Sequence, residues 1–162
     1  MAERIFSVID RAALVLCCLL LCAMVTLIAA QITTRYAIGS TLPWTEEVAR
    51  HLMIWMLFVG IAPAYRRGAH LGLDLWPARL GDRGRAVVGI VVLLVVAGFA
   101  AAMLRHGIDL STRTMRQRAS GLGYPMGYVY AAVPVGGALL LVHIASALPD
   151  VLRRALAPEG RA

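Results

Sequence analysis

Hydrophobic positions form long uncharged runs, separated by short segments that carry nearly all the charged residues. Residues 12–34, 86–104 and 119–149 contain no Asp, Glu, Lys or Arg. A fourth run, residues 51–65, reaches a comparable length when it is extended back to Trp44. A helix needs about 20 mainly apolar residues to cross the hydrocarbon core of a bilayer. The pattern therefore predicts four transmembrane helices, at about 12–33, 44–66, 85–105 and 125–148.

Composition supports the same fold class. Of 162 residues, 60% are hydrophobic and 15% are charged, whereas a soluble domain has about 45–50% apolar and 25% charged residues. We therefore expect an all-α integral membrane protein with one membrane domain over residues 1–162. After the second helix, Leu71, Leu75 and Trp76 fall on one side of a short helix, which is compatible with an interfacial segment.

The net charge of +7 comes from sixteen basic residues, all of them Arg. They lie at the ends of the uncharged runs and form no long basic face of the kind that follows phosphates. Nucleic-acid binding is therefore not expected. Arginines at the ends of membrane helices instead set the topology and contact lipid headgroups, so the expected surroundings are a lipid bilayer.

The arginines also predict the orientation in the membrane. With the N-terminus in the cytoplasm, ten arginines lie on the cytoplasmic side and six on the opposite side. Since positive residues are enriched in cytoplasmic loops, both termini are predicted to be cytoplasmic.

A polar group marks the start of the second helix. Arg50 follows Glu47 by three residues and Glu46 by four, so both carboxylates can reach it on one helix face. Trp44 precedes the group at the depth typical of interfacial aromatic residues, and Trp55 follows within the helix. Two interpretations stay open: an ion-paired helix end at headgroup level, or a polar surface that contacts another membrane subunit.

Near the other end of this helix, His70 and Asp74 are four residues apart and can pair. Their segment is rich in Arg and Gly. A loop held at the lipid headgroups is an equally good interpretation of these residues.

Small residues at four-residue spacing occur in the last two predicted helices, Gly98 with Ala102 and Ala132 with Gly136. Such pairs allow close approach of helices in lipid.

The order of several motifs resembles a known family. Trp44, Glu46, Glu47 and Arg50 form the pattern W-x-E-E-x-x-R, followed by further matching positions: Trp55, Gly60, Arg66, His70, the segment SGLGYP at 120–125, Tyr130, Pro134 and Gly136. Together they resemble the small membrane subunit of tripartite ATP-independent periplasmic (TRAP) transporters, the DctQ-like family, over about residues 31–145.

This resemblance implies a function and partners. A TRAP small subunit in the bacterial inner membrane would brace a large membrane subunit, which carries the sodium and substrate sites. It would also help to receive a periplasmic substrate-binding protein during uptake of an organic acid. The sequence contains no nucleophile–base pair, phosphate loop or metal-ligand motif, so neither enzymatic activity nor a metal or cofactor is expected.

The connection before the last helix is unusually basic for a segment outside the cytoplasm. Arg105, Asp109 and Arg113 follow at intervals of four, so the third helix can continue beyond the membrane with these residues on one face. Arg116 and Arg118 add further positive charge. The segment either contacts lipid headgroups or, through Arg113, Arg116 and Arg118, forms a docking surface for an acidic patch of the binding protein.

Two other functions remain open at this stage. Four histidines in a four-helix chain are compatible with a di-haem b-type cytochrome that uses His51 with His106 and His70 with His143. A structural or assembly subunit of an unrelated membrane complex is the other alternative.

Overall fold

The structure is a computed structural model that describes the backbone of residues 2–37, 39, 43–74 and 82–156, with side chains at 7–37, 39, 43–65, 84, 87–146 and 148. This part of the chain forms the helices α1 (Ala2–Ala37), α2 (Pro43–Asp74), α3 (Asp82–Thr114), α4 (Gly127–Tyr130) and α5 (Ala132–Leu156). Four stretches are long and apolar enough to cross a membrane: Ser7–Ala37, Pro43–Tyr65, Val87–Thr114 and Gly127–Ser146. The prediction of an all-α protein with four membrane helices is confirmed.

The helices are longer than the uncharged runs that predict them. α1 has 36 residues, so it is about 54 Å long at 1.5 Å per residue, against a hydrocarbon core of about 30 Å. α3 continues past residue 105 to Thr114, as the four-residue spacing of Arg105, Asp109 and Arg113 indicated. Helices can extend into water in this way because their backbone hydrogen bonds are internal.

α2 also differs from the expected arrangement. It runs from Pro43 through Asp74 and continues across Pro63. Residues 67–74 therefore belong to α2 rather than to a loop or a separate interfacial helix. Residues 75–81 and 157–162 lie outside the described residues, so a single membrane domain over residues 1–162 stays a prediction.

α5 lies between α2 and α3, while α1 packs mainly against α2. Between residues 17 and 34 of α1 the less exposed positions recur at spacings of three and four, the spacing of one helix face: Cys17, Leu20, Met24, Leu27, Gln31 and Thr34. Large apolar side chains on its other faces are exposed, among them Leu19, Val25 and Ile32. α1 is thus apolar on all sides but buried on one, as expected for a helix that faces lipid or another membrane protein.

Small residues bring α5 close to both neighbours. A Cβ atom added to Gly136 would lie 2.7 Å from the carbonyl oxygen of Phe58 on α2, and one added to Gly137 would lie 2.9 Å from that of Ala100 on α3. Ala132 is fully buried. The predicted small-residue pair on α5, Ala132 with Gly136, is therefore used within the chain.

The corresponding pair on α3 is not used in this way. Around Gly98 there is open space for a Cβ atom, and Ala102 is exposed. No helix of the described residues approaches this pair closely, so close approach of another helix at Gly98 and Ala102 stays a prediction. α3 contacts α5 through another face, where Leu93 and Ala100 pack with Leu140 and Ile144.

Candidate functional site: a hairpin loop on the start of α2

The segment between α3 and α4 folds into a compact turn, called here the hairpin loop (residues 117–126). The backbone N–H of Ala119 donates to the carbonyl of Tyr124 at 2.9 Å, and that of Met126 donates to Gln117 at 2.8 Å. Gly123 has a φ of 70°, which a glycine adopts without the steric cost of a Cβ atom. These contacts give the hairpin loop a defined shape of its own.

Arg118 is part of this internal bonding. Its Nη1 atom donates to the carbonyl of Gly123 at 2.8 Å, although the side chain remains exposed. The residue predicted as part of a docking surface therefore stabilises the hairpin loop as well.

Glu47 holds the hairpin loop against α2. The backbone N–H groups of Ser120 and Gly121 donate to its two carboxylate oxygens, Oε1 at 2.9 Å and Oε2 at 2.5 Å. Hydrogen bonds to an ionised acceptor are about twice as strong as those between neutral groups. A Cβ atom on Gly121 would lie 2.8 Å from the Cα of Trp44, so only glycine allows this approach.

A second contact lies one turn further along α2. His51 is buried, and its Nδ1 atom shares a hydrogen bond with the hydroxyl of Tyr124, whose ring meets the imidazole edge-on. Burial raises the pKa of Tyr124, and the negative charge of Glu47 acts in the same direction. The phenol therefore keeps its proton at neutral pH and can serve as a hydrogen-bond donor.

Of the two ion pairs expected for Arg50 at the start of α2, the pair with Glu46 is formed and the pair with Glu47 is not. Arg50 Nη2 lies 3.4 Å from Glu46 Oε1, and both side chains are largely exposed. Glu47 does not share this arrangement, because its two oxygens accept the amides of the hairpin loop. The expectation that Arg50 serves both carboxylates is therefore wrong for Glu47.

The tryptophans of this region, Trp44 and Trp55, are half-buried on α2. Of the two, Trp44 borders the hairpin loop through its contact with Gly121. Thr45, next to it, is only 1% exposed and is hydrogen-bonded or otherwise paired. The side chains of His70 and Asp74 lie outside the described residues, so their expected pairing stays a prediction.

The basic segment before the hairpin loop is open to solvent. A shallow hollow at the end of α3, called here the basic hollow, is lined by Thr112, Arg113 and Arg116. In the described part of the chain, the guanidinium groups of Arg113 and Arg116 have no hydrogen bond or ion pair. The Thr112 hydroxyl already donates to backbone carbonyls of α3. The two unpaired cations are suited to binding a carboxylate or phosphate.

Two of the three histidines whose side chains the structure describes already have hydrogen-bond partners. Nδ1 of His143 lies 2.8 Å from the carbonyl oxygen of Leu139 and Nε2 lies 2.6 Å from Asp10 Oδ1, so both ring nitrogens are engaged. His51 is bonded to Tyr124, and His106 is exposed. The side chain of His70 lies outside the described residues. The haem alternative therefore gains no support from the histidines whose contacts are known.

Sequence reasoning missed two connections. Ser120, Gly121 and Tyr124 were identified within a motif but not as partners of α2, because sequence separations of 73 and 74 residues carry no contact signal. The pair between Asp10 on α1 and His143 on α5 was also not predicted. An acidic residue at the edge of an uncharged run and a histidine within another are the signals that could have suggested it.

Comparison with known proteins gives this arrangement a family. The sequence model described as "Tripartite ATP-independent periplasmic transporters, DctQ component" matches residues 24–154. The chain belongs to the DctQ component family. The match includes α2, the hairpin loop and most of α5, so the residues that meet around Glu47 all lie within the family region.

Three relatives illustrate the DctQ family. The sialic acid TRAP transporter small permease protein SiaQ of Vibrio cholerae is 25% identical over 75% of this chain and 70% of its own length. A putative TRAP transporter small permease protein of Haemophilus influenzae is 23% identical over 94% of this chain and 98% of its own. The isethionate TRAP transporter permease protein DctMQ of Oleidesulfovibrio alaskensis is 28% identical over 68% of this chain, but only 18% of its own length is covered. The last relative thus carries a DctQ-like region within a much larger permease.

Proposed function

We propose that this chain is the small membrane subunit of a TRAP-type secondary transporter that takes up an organic acid. In this role it braces a large membrane subunit and helps to receive a periplasmic substrate-binding protein. The observation that carries the proposal is the family match over residues 24–154. The names of two relatives, which specify sialic acid and isethionate, support an organic anion as the substrate class.

The exposed apolar surface of α1 and α3 supports the proposal that a large membrane subunit is a partner of this chain. α1 and α3 expose apolar side chains on the faces that do not contact the rest of the chain, for example Leu19 and Val25 on α1 and Val95 and Phe99 on α3. In the relative DctMQ, a region like this chain is covalently joined to a much larger permease. A large membrane subunit is therefore the partner that best fits part of this surface, with lipid on the remainder.

The basic hollow supports the proposal that this chain helps to receive the periplasmic substrate-binding protein. Arg113 lies eight residues beyond Arg105, the first charge after the uncharged run, which is about 12 Å along the axis of α3. The headgroup layer adds only about 5–7 Å to each side of the hydrocarbon core. Arg113 and Arg116 are therefore within reach of a soluble protein, and acidic residues on that protein would complement them.

The test compares two charge reversals in proteoliposomes that contain this chain, its large membrane partner and the binding protein. Arg116→Glu should raise the binding-protein concentration that gives half-maximal uptake by about fivefold, since a surface charge contact contributes about 1 kcal/mol. The maximal rate should not change. The effect should shrink as salt is added, because exposed charges are screened over about 8 Å at physiological ionic strength.

Arg35→Glu is the matched control, because Arg35 is exposed in the last turn of α1, on the side of the membrane where the hollow is predicted to lie. It changes the charge by the same amount without altering the hollow. Equal half-saturating concentrations for the two variants would rule out the docking role of Arg116. Equal uptake by proteoliposomes prepared with and without this chain would rule out its role as a transporter subunit.

A further inference from the structure

We propose that Glu47 is a positioning residue, whose carboxylate anchors the hairpin loop to α2 and thereby fixes the basic hollow relative to the rest of the helices. The anchoring is a property of this chain alone. Its consequence for docking rests on the proposed function, and the two are tested separately below.

The geometry at Glu47 is specific for one loop conformation. Its two oxygens accept hydrogen bonds from two consecutive backbone N–H groups, those of Ser120 and Gly121. Consecutive N–H groups converge on one anion only when the backbone forms a concave turn. A carboxylate on α2 therefore selects the shape of the hairpin loop as well as its location.

The hairpin loop is held at two levels on one face of α2. Glu47 and His51 are four residues apart, so they lie one above the other on the helix. The first binds the amides of Ser120 and Gly121, and the second binds the hydroxyl of Tyr124. Two contacts one turn apart prevent the hairpin loop from rotating about either one.

The anchor also controls the adjoining segments, because the hairpin loop is rigid internally. Its own hydrogen bonds join Gln117 to Met126 and Ala119 to Tyr124. Arg116 directly precedes it, and α4 directly follows it. Fixing the hairpin loop on α2 therefore fixes the position of Arg116, which lines the hollow.

The adjacent carboxylate provides a matched control. Glu46 has the same charge, lies one residue earlier on α2 and is paired at the surface with Arg50. Among the described residues it makes no hydrogen bond or ion pair with the hairpin loop. Glu46→Ala and Glu47→Ala thus remove the same group from neighbouring positions, and only the second removes the anchor.

Mobility of the hairpin loop can be measured directly with a spin label. Leu122 lies at its tip and is 55% exposed, so Leu122→Cys accepts a label once Cys17, Cys18 and Cys22 are replaced by Ala. In the full-length chain in lipid nanodiscs, Glu47→Ala should narrow the spectrum of the label, while Glu46→Ala should leave it as in the parent. Identical spectra for the two variants would overturn the anchoring role.

Glu47→Gln keeps the inference testable if Glu47→Ala does not insert. The amide side chain retains one acceptor oxygen but places an NH2 group against a backbone N–H, so the mobility of the label should lie above that of the parent. An unchanged spectrum for Glu47→Gln would equally overturn the proposal. Faster hydrogen exchange at the amides of Ser120 and Gly121 is the expected accompanying result.

Uptake measurements separate positioning from simple support of the fold. A positioning role predicts that Glu47→Gln raises the half-saturating concentration of the binding protein severalfold at an unchanged maximal rate and an unchanged amount of assembled complex. A lowered maximal rate with an unaltered half-saturating concentration would overturn the positioning role. A mobile hairpin loop with fully unaltered uptake would support the anchor but overturn the positioning role, while the docking function is tested separately by Arg116→Glu.

Discussion

Glu46 and Glu47 are neighbours in the sequence, yet their carboxylates have different partners. Successive residues on a helix point about 100° apart, so one side chain faces solvent and Arg50 while the other faces the hairpin loop. The exposed pair is screened by water and contributes little, whereas Glu47 accepts two backbone hydrogen bonds. Attachment of the hairpin loop to α2 therefore depends on Glu47 and not on the ion pair.

At the residue scale, we predict that Arg50→Ala has a small effect. The pair with Glu46 is exposed and spaced i to i+4, which is worth about 0.3–0.5 kcal/mol. Glu46 is already largely solvated, so removal of Arg50 leaves no buried charge without a partner. Thermal unfolding in detergent should give nearly the parental melting temperature, and co-purification with the large subunit should be retained. A clear loss of assembly with the large subunit in Arg50→Ala would contradict this assignment.

Sequence patterns identified the important residues at this scale but not their contacts. Helical spacing correctly placed Arg50 within reach of Glu46. The same spacing also allowed a pair between Arg50 and Glu47. Helical spacing shows which side chains can meet, but it does not show whether another group competes for one of them. The partner of Glu47 is the backbone of Ser120 and Gly121, and backbone N–H groups have no signature in a sequence.

The elements show where hydropathy is informative. Uncharged runs gave the right number of membrane helices because the cost of charge in lipid restricts what can lie in the hydrocarbon core. The helices predicted from the uncharged runs were too short, because charged residues carry no such free-energy cost outside the hydrocarbon core. Polar residues therefore continue α2 to Asp74 and α3 to Thr114 without appearing in the hydropathy pattern.

At the element scale, we predict different effects for two glycine substitutions. Gly136→Ala would place a Cβ atom 2.7 Å from the carbonyl oxygen of Phe58 and force α5 away from α2. The expected loss of stability is about 1–3 kcal/mol, as for other overpacked interiors. Gly98→Ala meets open space, so it should leave the stability of the isolated chain unchanged or slightly higher. Thermal unfolding of both variants in one detergent is the measurement, and an equal loss in both would contradict the packing described for α5.

For the whole molecule, the sequence predicted the number of helices but not their neighbours. α5 is the central helix because glycines at positions 136 and 137 allow close approach on two sides. α1 is apolar on every face, so its hydrophobicity alone cannot indicate which face packs against α2. Which helices pack against each other is decided by the shape of the helix surface at a few small residues, and hydropathy carries no information about that shape.

At this scale, we predict that both termini are cytoplasmic. The physical reason is the excess of arginine on that side, ten residues against six on the other, because positive residues are retained in the cytoplasm. Reporter fusions at Gly39 and Leu122 should report a periplasmic location, and a fusion after Leu156 should report a cytoplasmic one. A periplasmic reporter after Leu156 would contradict this orientation.

The contact between Glu47 and the hairpin loop also has a consequence for biosynthesis. Its two halves are 73 residues apart in the chain, and at about 5–20 residues per second the second half is made about 4–15 s after the first. During that interval α2 is already synthesised, but the backbone N–H groups that will donate hydrogen bonds to Glu47 do not yet exist. Because a charge without partners is costly in the hydrocarbon core, we expect the nascent α2 to keep this carboxylate in contact with water, with its first turn at the membrane surface, until α3 has crossed. The order in which the ribosome delivers the helices thus favours the final location of Glu47 before its partners arrive.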